Sequence, residues 1–120
     1  MKRAVMMLGA GAAAMMMLGG AWAADEAPVS AAQIEAAKTA ADHEAIAVAY
    51  DAEATAADAQ VVSHESMAST YRTGGAPKGN HAAMASHCER IAARYKEIAA
   101  DNRSLAAFHR EMTKDCCKQN

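Results

Sequence analysis

The chain has 120 residues, with 12 Lys and Arg against 14 Asp and Glu and a formal net charge of −2. That length leaves room for one small domain once a leader is removed, and the balance of charge excludes an overall basic chain built for nucleic acid.

The first predicted element is a secretory leader over residues 1–23. Lys2 and Arg3 form its basic end, Ala4 to Leu18 its apolar run, and Ala21-Trp22-Ala23 an A-x-A cleavage site after the break at Gly19 and Gly20. The apolar run is about 15 residues, short of the roughly 20 that span a bilayer, so a membrane helix is the weaker reading. No Cys stands near the cleavage point, which argues against a lipid anchor. The expected mature domain covers 24–120, periplasmic or secreted, with no stable membrane insertion. Losing Lys2 and Arg3 takes its net charge from −2 to −4.

The first helix is predicted over about 30–72. Ser30 with Gln33 makes a capping-box pattern. From Ala31 to Arg72 there is no Gly or Pro, and alanine, the best helix former, dominates. The stretch TGGAPKGN (residues 73–80) is the turn: Gly74 and Gly75 can take the left-handed conformation that ends a helix, and Pro77 cannot continue one. Asn80 then caps a second helix, over about 81–115.

The second helix carries two lines at seven-residue spacing. Met84, Ile91, Ile98, Leu105 and Met112 form one; Cys88, Tyr95, Asn102, His109 and Cys116 form the other, extended backward by His81. Both are expected at a coiled-coil seam. The first helix answers with His43, Tyr50, Ala57, His64 and Tyr71, beside Ala40, Ala47, Ala54, Val61 and Ala68. A repeat at an offset of 45 residues relates Glu44, Ile46, Tyr50, His64 and Met67 to Glu89, Ile91, Tyr95, His109 and Met112.

A short turn makes the helices antiparallel. Centring it between Ala76 and Pro77 makes facing residue numbers add to about 153, and the polar lines meet at 152: His43 with His109, His64 with Cys88, Tyr50 with Asn102, Tyr71 with His81. The fold class is therefore all-α, a long antiparallel two-helix hairpin. Large apolar side chains are few, so two hairpins are expected to pair as a homodimeric four-helix bundle. Charge divides between the halves, with nine acids and one base from Asp25 to Tyr71 and nine bases and five acids from Arg72 onward. Segments of opposite sign attract, and the five acids dilute any nucleic-acid surface.

The cysteines number three. Cys88 and Cys116 lie 28 residues apart on one helix, roughly 42 Å, beyond disulfide reach. Adjacent Cys116 and Cys117 make a poor bridge. The thiols are free, paired between subunits, or metal ligands.

The stripe suggests two metal clusters. Near the turn stand His64, Met67, Met84 and Cys88; near the open end stand His43, His109, Met112 and Cys116. Imidazole, thioether and thiolate together suit a soft ion such as Cu(I), and Zn(II) less well. The spacing H-x2-M-x3-C occurs twice on the second helix, at His81-Met84-Cys88 and His109-Met112-Cys116, and puts three side chains on one face. The competing structural reading has His and Tyr filling layers of an alanine coil and fixing its register, in an interaction or scaffold protein or an acid sensor with no metal. No Ser-His-Asp or G-x-S-x-G arrangement and no C-x-x-C-H appears, so a non-enzymatic binding protein is expected. In general plan the chain resembles periplasmic heavy-metal-resistance and metal-sensing proteins. Their L-T-x-x-Q type motif is absent, and no residue role is carried over.

Overall fold

Two long helices lie side by side along one seam, in a computed structural model that describes residues 28–75 and 78–116. The expected leader, the mature N-terminus, Pro77 and Cys117 lie outside the described residues. Helix α1 spans Ala31–Ala36, α2 Ala40–Arg72 and α3 His81–Cys116, and there is no strand among the described residues. At 1.5 Å per residue α2 and α3 are about 50 and 54 Å long. No helix among the described residues is long and apolar enough to cross a membrane.

The first helix is not continuous over 30–72. Ser30 caps α1 with the expected box, accepting from the Gln33 amide while the Gln33 side chain accepts from its own. The helix then stops at Ala37, whose backbone is extended. A second box restarts it: the Thr39 hydroxyl accepts from the Asp42 amide at 3.1 Å, and the Asp42 carboxylate accepts from the amides of Thr39 and Lys38 at 2.9 and 3.0 Å. No Gly or Pro is needed, because a side-chain cap competes directly with the helical backbone bonds at this point. The segment before the break returns along α2, where the Val29 amide donates to the Glu53 carboxylate at 2.8 Å.

At the turn, Gly74 takes a left-handed φ of 73°. The Gly75 amide donates to the Thr70 carbonyl and the Gly74 amide to that of Tyr71, the paired bonds of a Schellman ending. The Asn80 side chain accepts from the Ala83 amide and opens α3.

The seam is built from two lines on each helix. The polar lines meet at the seam in part as their spacing predicts: His43 meets His109 and Tyr71 meets His81, whereas Tyr50 contacts His109 instead of the expected Asn102 and His64 contacts Tyr95 instead of Cys88, because large rings reach diagonally to the next layer. The second line on α3 is different. Ala85, Ala92, Ala99 and Ala106 are buried against Ala47, Ala54, Val61 and Ala68 of α2. The line Met84, Ile91, Ile98, Leu105, Met112 lies one position earlier and is turned outward: Met84 is 44% exposed where Ala85 is 1%. Alanine wins these positions because small side chains let two helix backbones approach closely along their whole length, and larger ones would hold them apart.

The two flanks of the seam differ. One carries a ladder of ion pairs between the helices: Glu89 with Arg72, Lys96 with Glu65, Arg103 with Asp58, and Arg110 with Asp51 and Glu44. Its rungs recur every seven residues on both helices. The other flank carries the outward apolar line of α3.

Candidate metal-binding seam

Each candidate residue is placed by the antiparallel heptad. At the open end His43 of α2 and His109 of α3 face across the seam with their Nδ1 atoms 3.1 Å apart, one ring donating to the other. Their ring centroids are 5.4 Å apart, and the Tyr50 ring lies 5.8 Å from His109. His109 is buried. Burial first, and the nearby His43 charge second, push its pKa below the ordinary imidazole value. The neutral ring, the form that binds metal, is therefore favoured at this position.

A shallow pocket of 230 Å³ opens beside this pair, lined by His43, Met112, Asp115 and Cys116. Met112 is exposed and Cys116 half-buried. The sequence reading omitted Asp115; its signal was its position three residues after Met112 and one before Cys116. Two nitrogens bound to one tetrahedral ion at about 2.0–2.1 Å stand about 3.3 Å apart. The observed 3.1 Å is an N–H···N hydrogen-bond distance, and holding one ion between the two nitrogens would require that proton to leave.

Near the turn, His64 and Cys88 both point into the seam but pack against different neighbours. The His64 ring stacks on Tyr95, with centroids 5.9 Å apart and planes 17° apart. Among the described residues its buried Nδ1 has no hydrogen-bond partner, an arrangement that ordinarily costs about 1–3 kcal/mol. Cys88 is a free thiol, buried with Ala68 and Ala85 under Tyr71. Met67 and Met84 are exposed, contrary to a core placement. Their positions flank the polar line on the same side as the other outward apolar residues, because in a helix the residue three before or after a seam position sits beside it.

The structure thus joins His43 to His109 directly and groups Met112 and Cys116 with His43 at the adjoining pocket; it does not bring the turn-side four together, since His64 stacks on Tyr95, Cys88 packs with Ala68 and Ala85, and Met67 and Met84 are exposed. Among the described residues no group of three His, Cys, Asp or Glu side chains converges as a formed metal site. At the open end the two imidazoles are in direct contact, and Met112 and Cys116 line the pocket beside His43. The ring contacts of Tyr50 with His109 and of Tyr95 with His64 were not legible from ligand spacing, though both tyrosines sit on the predicted polar lines. Comparison with known proteins finds no matching family model, curated protein or solved structure.

Proposed function

We propose that the protein is an exported, non-enzymatic helical binding protein that takes a soft transition-metal ion, Cu(I) before Zn(II), in its seam. The ligands at the open end are His43, His109, Met112 and Cys116; the layer of His64, Met67, Met84 and Cys88 near the turn is a second, weaker position. The observation that carries this reading is the 3.1 Å approach of the His43 and His109 Nδ1 atoms, at a position whose burial favours the neutral ring. Mixed nitrogen and sulfur donors select a soft ion. Pairing with a second copy into a four-helix assembly belongs to the same reading, since the seam of one hairpin buries mostly alanine.

The rival is an interaction coiled coil with no metal, in which the imidazole pair only sets register. The exposed line of Met84, Ile98, Leu105 and Met112 favours it. Titration of reduced protein with Cu(I) against a competing chelator separates the two. The metal reading expects a Kd below about 1 μM, about −8 kcal/mol. Binding is lost on joint substitution His43→Ala and His109→Ala, and weakened less by His64→Ala with Cys88→Ala. Binding left unchanged by both double substitutions, with helicity intact, would overturn it.

A further inference from the structure

The charged flank of the hairpin is satisfied within one chain, and the opposite flank is not. Along α3 the residues Met84, Ile98, Leu105 and Met112 are 39–47% exposed, and Phe108 is 62% exposed. We propose that this line of α3 is the contact with a second copy of the chain, the two α3 helices running antiparallel about a two-fold axis at Ile98. The proposal specifies the second copy named above and does not depend on metal.

The order of side chains carries it. Met84, Ile91, Ile98, Leu105 and Met112 read almost the same in either direction. A two-fold axis at Ile98 sets Met84 against the partner's Met112, Ile91 against the partner's Leu105, and Ile98 on itself. A two-fold interface requires this self-complementarity, since one surface must serve both sides. An unrelated partner would not require it.

Charge gives an independent check. Three residues beyond the apolar line runs a second exposed line, His87, Arg94, Asp101, Phe108 and Asp115. In the observed seam, lines three residues apart meet with facing numbers that add to 153 and 152, as in Ala54 with Ala99 and His43 with His109. The same stagger applied to an apolar sum of 196 gives 195 for the flanking line. Arg94 then meets the partner's Asp101, Asp101 meets the partner's Arg94, and His87 meets the partner's Phe108. Among the described residues neither Arg94 nor Asp101 joins an ion pair within its own chain. Opposite charges at flanking positions are the usual selector of coiled-coil orientation.

The other available occupant is the chain's own N-terminal segment, which reaches this flank where Pro28 and Ile98 border one groove. That segment is held on the α2 side. Val29 is bonded to Glu53, and residues Gln33 to Ala37 run beside Ala45 to Ala49. Among the described residues only Pro28 comes beside the α3 line, and Met84, Ile98, Leu105 and Met112 remain exposed.

The test is sedimentation equilibrium on protein purified from the full-length chain, in reducing buffer, with helicity followed by circular dichroism. The expected result is a concentration-dependent dimer. Ile98→Glu, a change at an exposed position of the single hairpin, gives a monomer of unchanged helicity. Arg94→Asp raises the dimer dissociation constant about tenfold or more, because like charges then meet twice. Adding Asp101→Arg to Arg94→Asp restores it. A protein that stays monomeric overturns both this inference and the pairing on which it rests. A dimer indifferent to Ile98→Glu overturns the face alone. If Ile98→Glu abolishes the dimer but Arg94→Asp fails to weaken it, or weakens it without rescue by Asp101→Arg, the antiparallel register is overturned while pairing itself stands.

Discussion

Ala54 of α2 and Ala99 of α3, each 1% exposed, meet in one buried cluster with Ala57, and Tyr95 packs against them. Two methyl groups bury little apolar surface, so the gain at this layer comes from how closely the helices approach and how many backbone atoms come into contact. A larger side chain must push the helices apart or take a poor rotamer. Ala99→Leu is therefore expected to destabilise the hairpin by about 1–3 kcal/mol despite its added hydrophobicity. Ala100→Leu, one exposed position on, is expected to stay within about 0.5 kcal/mol of the parent. Urea denaturation of the two variants measures the contrast. Equal stabilities would mean that the alanine seam is loosely packed.

The break between α1 and α2 depends on a few hydrogen bonds at Thr39 and Asp42. Replacing both by alanine removes the cap and leaves an alanine-rich segment with no other interruption. Helicity measured by circular dichroism is expected to rise, as residues 37–39 join α1 to α2 in one helix. Release of the Val29 amide from Glu53 accompanies that extension, and faster amide exchange at Val29 reports it. A fall in helicity would mean that the box nucleates α2 instead of separating it from α1.

Much of this arrangement was legible in the sequence, for reasons that also mark where legibility stopped. The turn could be placed because Gly74 and Asn80 have chemistry peculiar to helix ends. The facing of His43 with His109 followed from a seven-residue spacing on both helices and the position of that turn. The choice between Met84 and Ala85 as the inner residue did not follow, because both lines keep the same period. Hydrophobicity favours the methionine line, whereas close helix approach favours alanine, and only packing of two backbones decides between them. The break at Thr39 had a readable signal, the T-x-x-D box, which the absence of Gly and Pro obscured. The candidate thioether ligands depend on that same one-position choice: Met67 and Met84 stand exposed on the rim, while His109 is buried in the seam.

The one-sided ladder gives a prediction about salt. Its side chains are 41–60% exposed, so each rung is weakly stabilising and well screened. Its value lies in phase: the rungs agree in register and distinguish the two flanks of the hairpin. Arg110, which bonds both Asp51 and Glu44, is expected to matter more than Arg103, which pairs with Asp58 alone. Thermal unfolding of Arg110→Ala and Arg103→Ala at low salt should show that order. The difference should vanish near 1 M salt, where the screening length is about 3 Å. An undiminished difference at high salt would assign the effect to lost packing of the long side chain.

Acid is expected to loosen the open end before it affects the ladder. His109 is held below the ordinary imidazole pKa by burial and then by the His43 charge. Between that lowered value and about 6.5, the unfolded chain binds more protons at this site than the folded one. Stability from this group is thus complete above about pH 6.5 and is lost as the pH falls from there through the lowered folded value. The rings that face it are those of His43 and Tyr50 from α2. The carboxylates act lower in the scale. Glu89 is held down by its bond to Arg72, and Asp42 by the Lys38 amide and then the Thr39 hydroxyl, so their stabilisation is lost only below about pH 4. Thermal melts from about pH 7.5 to about pH 3 should show two separated falls in Tm. His109→Gln, a neutral side chain able to bond His43, should abolish the upper fall and leave the lower one. An upper fall that persists unchanged in His109→Gln would place the acid-sensitive group elsewhere and leave the imidazole pair a feature of packing alone.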